Sequence, residues 1–415
     1  MAETNPFPHI FLSAGEASGD YYGAQLISEL RSRMPQLTCF GLGGTEMADA
    51  GMDRIVRAED VAHMGITEVV RHMPYIYGEY RRLVASIKKH RPDVAVLIDF
   101  PDVNFRLARE FRKLNIPVIY FVSPQLWAWK RKRLRWVQQR VSRMLVIFPF
   151  EERFYRARGV EAAFVGHPLA QLPQPSSTRS EYAEKHKLDP EKTWIALLPG
   201  SRRKEVQLNL PEMLRAAAVL NTKGRYEFVI PVASTVSTAY IRNFLQDPTF
   251  PAPKAKVTLV DDAREALHHA RASIVASGTA TVQATVVGNP FIVVYRVSPL
   301  TFALAKRLIR YPVEIPAKVD KDGNLPIAMV NLIAGRRIVP ELLQAHFTAE
   351  NIVAKLSPLI ADGPQREAMR ADLAETNLKL LPASGSSPII QVCDAVEALL
   401  EQNQTTRGRT STASV

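Results

Sequence analysis

Two turns in the second half of this 415-residue chain carry the residue types that hold a diphosphate. LLPGSRRKEV (197–206) and ASGTATVQATVVGNP (276–290) each run from an apolar strand through small residues into a helix. The first N–H groups of a helix have no partner inside it, and with the helix dipole they attract anions. In the first turn Gly200 and Ser201 form the loop, and Arg202, Arg203 and Lys204 add positive charge. In the second, Ser277, Gly278, Thr279 and Thr281 supply N–H groups and hydroxyls, and Gln283 is placed for a ribose hydroxyl. Plain helix capping is the alternative at each turn. Two such turns in one βα series favour a diphosphate between them, hence a nucleotide-activated substrate.

The first half carries carboxylates. In IDFPDVN (98–104), Asp99 follows a fully apolar strand, DVAVLIDF. In open α/β sheets ligands bind beyond the carboxyl ends of the strands, so Asp99 reads as a general base. Asp102 either orients it or binds a substrate hydroxyl, or else caps the following helix. GEASGD (15–20) ends another strand. Its Glu16 and Ser18 are candidates for hydrogen bonds to a sugar. The alternative is an ordinary turn whose glycines take positive φ. It is not G-x-G-x-x-G, so no dinucleotide fingerprint is present. GLGG (41–44) carries a weaker version of the same signal.

Two segments suit a charged surface. In 64–84, Ile66, Val69, Val70, Met73, Ile76 and Tyr77 recur near helical spacing before Arg81 and Arg82. That is an interfacial pattern, although most amphipathic helices simply pack on a core; Pro74 is a candidate kink. VSPQLWAWKRKRLRWV (122–137) interleaves Trp127, Trp129 and Trp136 with basic residues. It reads equally as an anion-binding face or as a solvated basic helix with tryptophans on the core.

Composition narrows the class. Hydrophobic residues make up 47% and charged residues 23%, as in globular proteins. A net charge of +12 favours polyanionic partners, but no zinc-finger, RNA-recognition or homeodomain pattern occurs, so nucleic acid is not an expected partner. No secretory signal or bilayer-length apolar run is expected. Cys39 and Cys393 read as buried free thiols in a reducing compartment. His167, His268 and His269 form no metal-ligand spacing, and Asp320 and Asp322 before Gly323 read as a turn. No metal or other cofactor is expected.

Strands alternate with helices throughout, which argues for βαβ units in doubly wound sheets. Strands are expected at 9–15, 37–44, 93–100, 116–122, 143–148 and 162–167, then at 193–198, 226–231, 256–260, 272–277 and 291–297. The expected architecture is α/β, with two Rossmann-like domains facing across a cleft. Residues 1–170 form the first, 171–190 a linker rich in Pro and Ser, and 191–370 the second. Residues 371–402 are helices crossing back to the first domain, the last starting at Ser387–Pro388 and ending near Glu401. Residues 403–415 form a disordered tail.

The segments SAGEASGD, MGITEV, IDFPDVN, YFVSPQLWAWKRKR, FPFEERFY, FVGHP, LLPGSRRKEV, ASGTAT, AKRL and VNLIAGRRIVPELLQ follow one another between about residues 10 and 345. In that order they resemble the lipid-A-disaccharide synthases, bacterial glycosyltransferases of the two-domain GT-B fold. The resemblance implies transfer of 2,3-diacylglucosamine from UDP to the 6-hydroxyl of 2,3-diacylglucosamine 1-phosphate. The product is a β-1,6 disaccharide 1-phosphate with inversion at the anomeric carbon, and UDP is released. It implies Asp99 as base and Arg202 as the leaving-group cation. It implies Glu16, Ser18, Asp102 and Asn331 at the sugars, and Gly200, Ser201, Ser277, Gly278, Thr279 and Gln283 at UDP. It also places membrane contact on the segment matching 64–77, so the chain is expected in the cytoplasm, peripheral on the anionic inner face of the inner membrane. Exchange of C-terminal helices between two chains makes a homodimer plausible.

Some positions depart from the family pattern. Gln283 stands where Glu is usual, Val330 and Arg337 where Pro and Glu are common, and 312–328 is longer and more polar. Two rivals remain: a UDP-N-acetylglucosamine 2-epimerase on the same fold, and a nucleotide-binding peripheral membrane protein without chemistry. The apolar 64–77 segment and SPQLWAW argue against the first. Asp99 and Arg202 argue against the second.

Overall fold

The computed structural model describes residues 7–62, 73–247 and 256–412. The chain divides into two compact units, residues 1–168 with 381–415, and residues 169–380.

The first unit is built on a seven-stranded sheet in the order β3-β2-β1-β4-β5-β6-β7. Its strands are β1 (His9–Ala14), β2 (Thr38–Gly43), β3 (Asp53–Arg57), β4 (Val94–Ile98), β5 (Val118–Phe121), β6 (Arg143–Val146) and β7 (Ala162–Phe164). Every pairing is parallel. β4 and β5 are buried along their whole length, as central strands covered on both faces must be. The second unit has six parallel strands in the order β10-β9-β8-β11-β12-β13. These are β8 (Thr193–Leu198), β9 (Tyr226–Pro231), β10 (Val257–Val260), β11 (Ala272–Ala276), β12 (Phe291–Tyr295) and β13 (Glu341–Leu343).

In each unit the strand order reverses at one place. In the first it lies between β1 and β4, paired Ala14 to Ile98 at their ends. In the second it lies between β8 and β11, paired Leu198 to Val275. The connections leave for opposite faces there, so the two turns splay and leave a crevice. GEASGD and IDFPDVN flank the first reversal. PGSR and SGTAT flank the second.

Several boundaries differ from those expected. β3 and β13 were not expected. Both are edge strands; β3 has three charged residues out of five and β13 has only three residues, so neither carries a buried-strand signal. The segment taken as a linker holds a helix, Arg179–His186, capped by Thr178. Its Tyr182 and Ala183 belong to the second unit's core. Helix Pro364–Leu378 stays with that unit, and only the chain from Leu381 joins the first. The last helix starts at Pro388, with the Ile389 N–H donating to Ser387 Oγ. It runs to Thr412 rather than ending near Glu401. It is tied to the first unit by Arg33 to Asp394 (2.7 Å) and Glu397 (3.1 Å). Cys39 and Cys393 are free and buried.

Candidate active site

β4 ends directly in Asp99, and the chain then turns through two left-handed residues, Asp99 (φ 45°) and Phe100 (φ 45°). Neither is glycine, so each costs roughly 1–2 kcal/mol. Neighbouring groups hold the turn in place. The Asp99 N–H donates to Phe121 O (2.9 Å). The Asp99 carbonyl accepts from the Tyr120 hydroxyl (2.6 Å) and from Asn104 Nδ2 (2.7 Å). Asn104 also donates to Ile98 O (3.2 Å) and accepts from Ser13 Oγ (2.6 Å). The buried β1 and β5 thus over-determine the elbow that presents the carboxylate.

Burial, and next the negative charge of Glu16, push the Asp99 carboxyl up to about 7. A carboxylate tuned there accepts a proton more readily than an ordinary aspartate at neutral pH. Glu16 and Ser18 are exposed at the start of helix Ala17–Arg33. Gly15 is needed for close approach, not for positive φ: a Cβ there would lie 2.4 Å from the Phe100 ring. The first loop and the Asp99 elbow are therefore in direct contact. Asp20, from the same loop, is buried and accepts from the N–H groups of Gly44 (2.7 Å), Glu46 (3.0 Å) and Met47 (3.2 Å). Its carboxylate ties GLGG to GEASGD, which gives GLGG a structural task.

Asp102 does not cap the helix Pro101–Lys113, whose N-cap is Phe100. It sits in the first turn, 71% exposed, and pairs with Arg133 at 2.7 Å. Behind the elbow, Trp127 Nε1 donates to Glu151 Oε1 (3.0 Å), and the Phe148 N–H donates to Glu151 Oε2 (3.2 Å). Burial pushes Glu151 up to about 8, against those hydrogen bonds. The Tyr155 hydroxyl and Ser123 Oγ lie 2.7 Å apart beside it. SPQLWAW is thus anchored to FPFEERFY by buried polar contacts. Sequence reasoning noticed both segments and missed the contact, because a lone Glu in a helix start reads as a solvated charge.

In the second unit, Gly200 (φ 122°) turns the chain from β8 into the helix Arg203–Leu220. The N–H groups of Ser201 (3.0 Å) and Arg202 (3.4 Å) are not free, because both donate to Glu205 Oε2. Glu205 lies against Gly200 so closely that a Cβ there would be 2.5 Å from its Oε2. The Arg202 side chain is 74% exposed and only loosely paired, 3.4 Å from Glu205 Oε1. The second turn is more open. Gly278 (φ 154°) precedes the helix Thr279–Val287 with no side-chain cap. Gly278 and Thr279 are exposed, and Ser277 and Gln283 are half-buried. Thr281 is not available: it is buried, and its Oγ1 donates to Gly278 O (2.8 Å).

Asn331, expected at the sugars, is built into the interior of its own turn. It is 1% exposed. Its Oδ1 accepts from the Ile338 (2.8 Å) and Val339 (3.0 Å) N–H groups. Its Nδ2 donates to Val339 O (3.0 Å) and Glu341 Oε1 (2.9 Å). The exposed Arg337 pairs with the buried Glu341 carboxylate at 2.6 Å and so covers this turn from outside. Asp320 forms the expected turn, accepting from the Asp322 (2.9 Å) and Asn324 (2.8 Å) N–H groups.

Of the surface residues, Ile66, Val69 and Val70 lie outside the described residues. The helix that follows runs Met73–His90 with Pro74 in its first turn, where proline is tolerated, so it does not kink the described helix. Ile76 is half-buried and Tyr77 is 59% exposed. No described helix is long and apolar enough to cross a membrane.

Two parallel, doubly wound α/β sheets, each with its loops at a strand-order reversal, define the GT-B type of fold, which glycosyltransferases share with epimerases. The fold matches the calicheamicin glycosyltransferase CalG4 with a TM-score of 0.58 at 17% identity, covering 96% of this chain and 99% of that one. It also matches a UDP-GlcNAc 2-epimerase from Neisseria meningitidis bound to UDP-GlcNAc, with a TM-score of 0.56 at 12% identity, covering 95% and 100%. The sequence decides the family. Residues 10–389 match the lipid-A-disaccharide synthetase model. The chain is 54% identical over 404 residues to a lipid-A-disaccharide synthase of Acidobacterium capsulatum, covering 95% of this chain and 97% of that one. It is 50% identical over 367 residues to one from Koribacter versatilis, covering 88% and 91%. The chain belongs to the lipid-A-disaccharide synthetase family, glycosyltransferases of lipid A biosynthesis.

Proposed function

We propose that the chain transfers 2,3-diacylglucosamine from UDP to the 6-hydroxyl of 2,3-diacylglucosamine 1-phosphate. The observation that carries this reading is the strained, fully supported elbow that presents Asp99 with a carboxyl near neutrality. The acceptor's 6-oxygen attacks the anomeric carbon of the donor and gives its proton to Asp99. The bond from that carbon to the diphosphate oxygen breaks, and its electron pair leaves with UDP. One displacement inverts the centre, so an α-linked donor gives a β-1,6 disaccharide 1-phosphate.

Charge developing on the diphosphate needs donors already in place. Arg202 and the N–H groups around Gly278 and Thr279 are suited to that role, with Ser277 and Gln283 on the nucleotide. Gln283 accepts from a ribose hydroxyl without charge. Glu16 and Ser18 bind the sugar beside Asp99, and Asp102 binds acceptor. Asn331 shapes its turn. The apolar and aromatic start of the helix Met73–His90, beside Arg81 and Arg82, rests on the anionic inner membrane surface where both lipid substrates reside.

Mass spectrometry of products from UDP-2,3-diacylglucosamine and 2,3-diacylglucosamine 1-phosphate in detergent tests the reaction. A disaccharide 1-phosphate with UDP supports it. No product from protein that still binds UDP overturns it in favour of a soluble UDP-sugar reaction.

A further inference from the structure

Beside the elbow, the first unit holds a cavity of about 240 Å³ between the helices Pro101–Lys113 and Leu134–Arg140. Asp102, Arg106 and Arg109 line it from one face of the first helix, and Arg133, Trp136 and Arg140 from the other side. Four guanidinium groups share this space with Asp102 as the single lining carboxylate. A solvated basic face spreads its charges apart; here they converge.

Two of the arginines are fixed in position. Arg133 pairs with Asp102 at 2.7 Å and lies 5.5 Å from the Trp136 ring centre. Arg140 donates to Phe105 O at 3.0 Å and lies 5.0 Å from the same ring. Trp136 is itself packed edge-on against the buried Phe105. Arg106 and Arg109 are exposed at the rim; Arg109 also reaches Glu110 at 3.2 Å, outside the lining. Burial, and then the charges of Arg109 and Arg112, lower the Arg140 pKa, so Arg140 is held against repulsion from its neighbours. A dianion among the four groups removes that repulsion. The planar guanidinium fork suits phosphate oxygens, which accept two parallel N–H bonds from each arginine.

The cavity begins at Pro101 and Asp102, two and three residues beyond Asp99 on the same turn. The Cα atoms of these two lining residues lie within a chain reach of at most ~11 Å of the Asp99 Cα.

We propose that this cavity is a subsite for a phosphate monoester carried on a sugar, occupied by the 1-phosphate of the acceptor while its 6-hydroxyl meets Asp99. The identity of the occupant rests on the reaction proposed above; the binding of a sugar phosphate does not.

The test is the binding of glucosamine 1-phosphate by calorimetry, with UDP saturating so that the second unit's diphosphate turns are filled. The Arg106→Ala/Arg109→Ala double variant removes two exposed side chains and leaves the packed Arg133, Trp136 and Arg140 in place, so the fold is retained. The dissociation constant for glucosamine 1-phosphate should rise at least tenfold, and that for UDP should not move. With the lipid acceptor, KM should rise far more than kcat falls, and Arg109→Lys alone should lose less than Arg109→Ala. Unchanged glucosamine 1-phosphate binding in the double variant overturns the proposal. So does a variant that binds the sugar phosphate normally but loses its hold on phosphatidic acid vesicles, which makes the cavity a bilayer headgroup site. If the wild type makes no disaccharide, yet the double variant loses glucosamine 1-phosphate binding, the subsite stands and the reaction falls.

Discussion

The Tyr120 hydroxyl donates a 2.6 Å hydrogen bond to the main-chain carbonyl of Asp99, not to its carboxylate. The distinction sets the division of labour. Tyr120 holds the backbone in the left-handed turn without engaging the carboxylate, which accepts from the Phe100 N–H. Removing the hydroxyl should relax the elbow without altering what binds. Tyr120→Phe loses one buried hydrogen bond, about 1 kcal/mol of stability, while Asn104 still holds the carbonyl. We expect kcat to fall roughly tenfold from misplacement of the base, with the KM for the donor changed little. Steady-state kinetics with a melting curve checks both.

Asp99→Asn should abolish turnover and raise the melting temperature. The folded carboxyl sits near 7, above its unfolded value, so the fold disfavours the charged form. That group's contribution is most favourable below about pH 4 and worsens as pH rises toward 7, by ~2–4 kcal/mol in all. An uncharged Asn escapes this cost. Thermal melts at pH 5 and pH 8 should show the variant's advantage growing with pH; a variant less stable than wild type at pH 8 contradicts the buried-charge reading.

Gly15→Ala should behave like an elbow mutation although it lies in another loop. The new Cβ meets the Phe100 ring at 2.4 Å, and Phe100 is the second left-handed residue of the turn. Activity should drop by roughly 10- to 100-fold with UDP affinity intact. Loss of UDP affinity instead would mean that the two loops are not coupled in this way.

Gly200→Ala acts on the other unit. The Cβ displaces Glu205 and strains a residue at φ 122°, so the loop that carries Arg202 shifts. UDP binding, measured by calorimetry, should weaken by roughly tenfold or more, about 1.4 kcal/mol. Retained affinity would show that the PGSR loop does not shape the diphosphate site.

Tyr75 and Tyr77 are 46% and 59% exposed at the start of the helix Met73–His90. Replacing both by Ser should reduce co-sedimentation with anionic vesicles, while turnover in detergent changes little. Unchanged sedimentation would move the membrane surface elsewhere.

Much of the fold was legible because its central strands are continuous apolar runs. β1, β4, β5, β8 and β11 are such runs, and both site halves sit at their carboxyl ends. The edge strands β3 and β13 were not legible, since one is mostly charged and the other is three residues long. The placement of Asp99 and of the second unit's two turns at strand ends was readable from the sequence. Their supports were not. Tyr120 and Asn104 act through main-chain atoms, and Glu151 meets Trp127 across 24 residues, contacts that no local pattern records. Asn331 shows the same limit: its four hydrogen bonds close on the chain itself, and nothing in the motif VNLIAGR announces them.

The most direct measurement is the pH dependence of kcat/KM for the wild type and for Glu16→Gln. Base catalysis requires ionised Asp99, so the rate should rise with pH along an acid limb centred near 7. Removing the Glu16 charge should shift that limb to lower pH by less than its full displacement, because burial is the larger cause. A limb in the ordinary carboxylate range near pH 4, or one near 7 that Glu16→Gln leaves in place, would contradict the assignment of Asp99 as the tuned base.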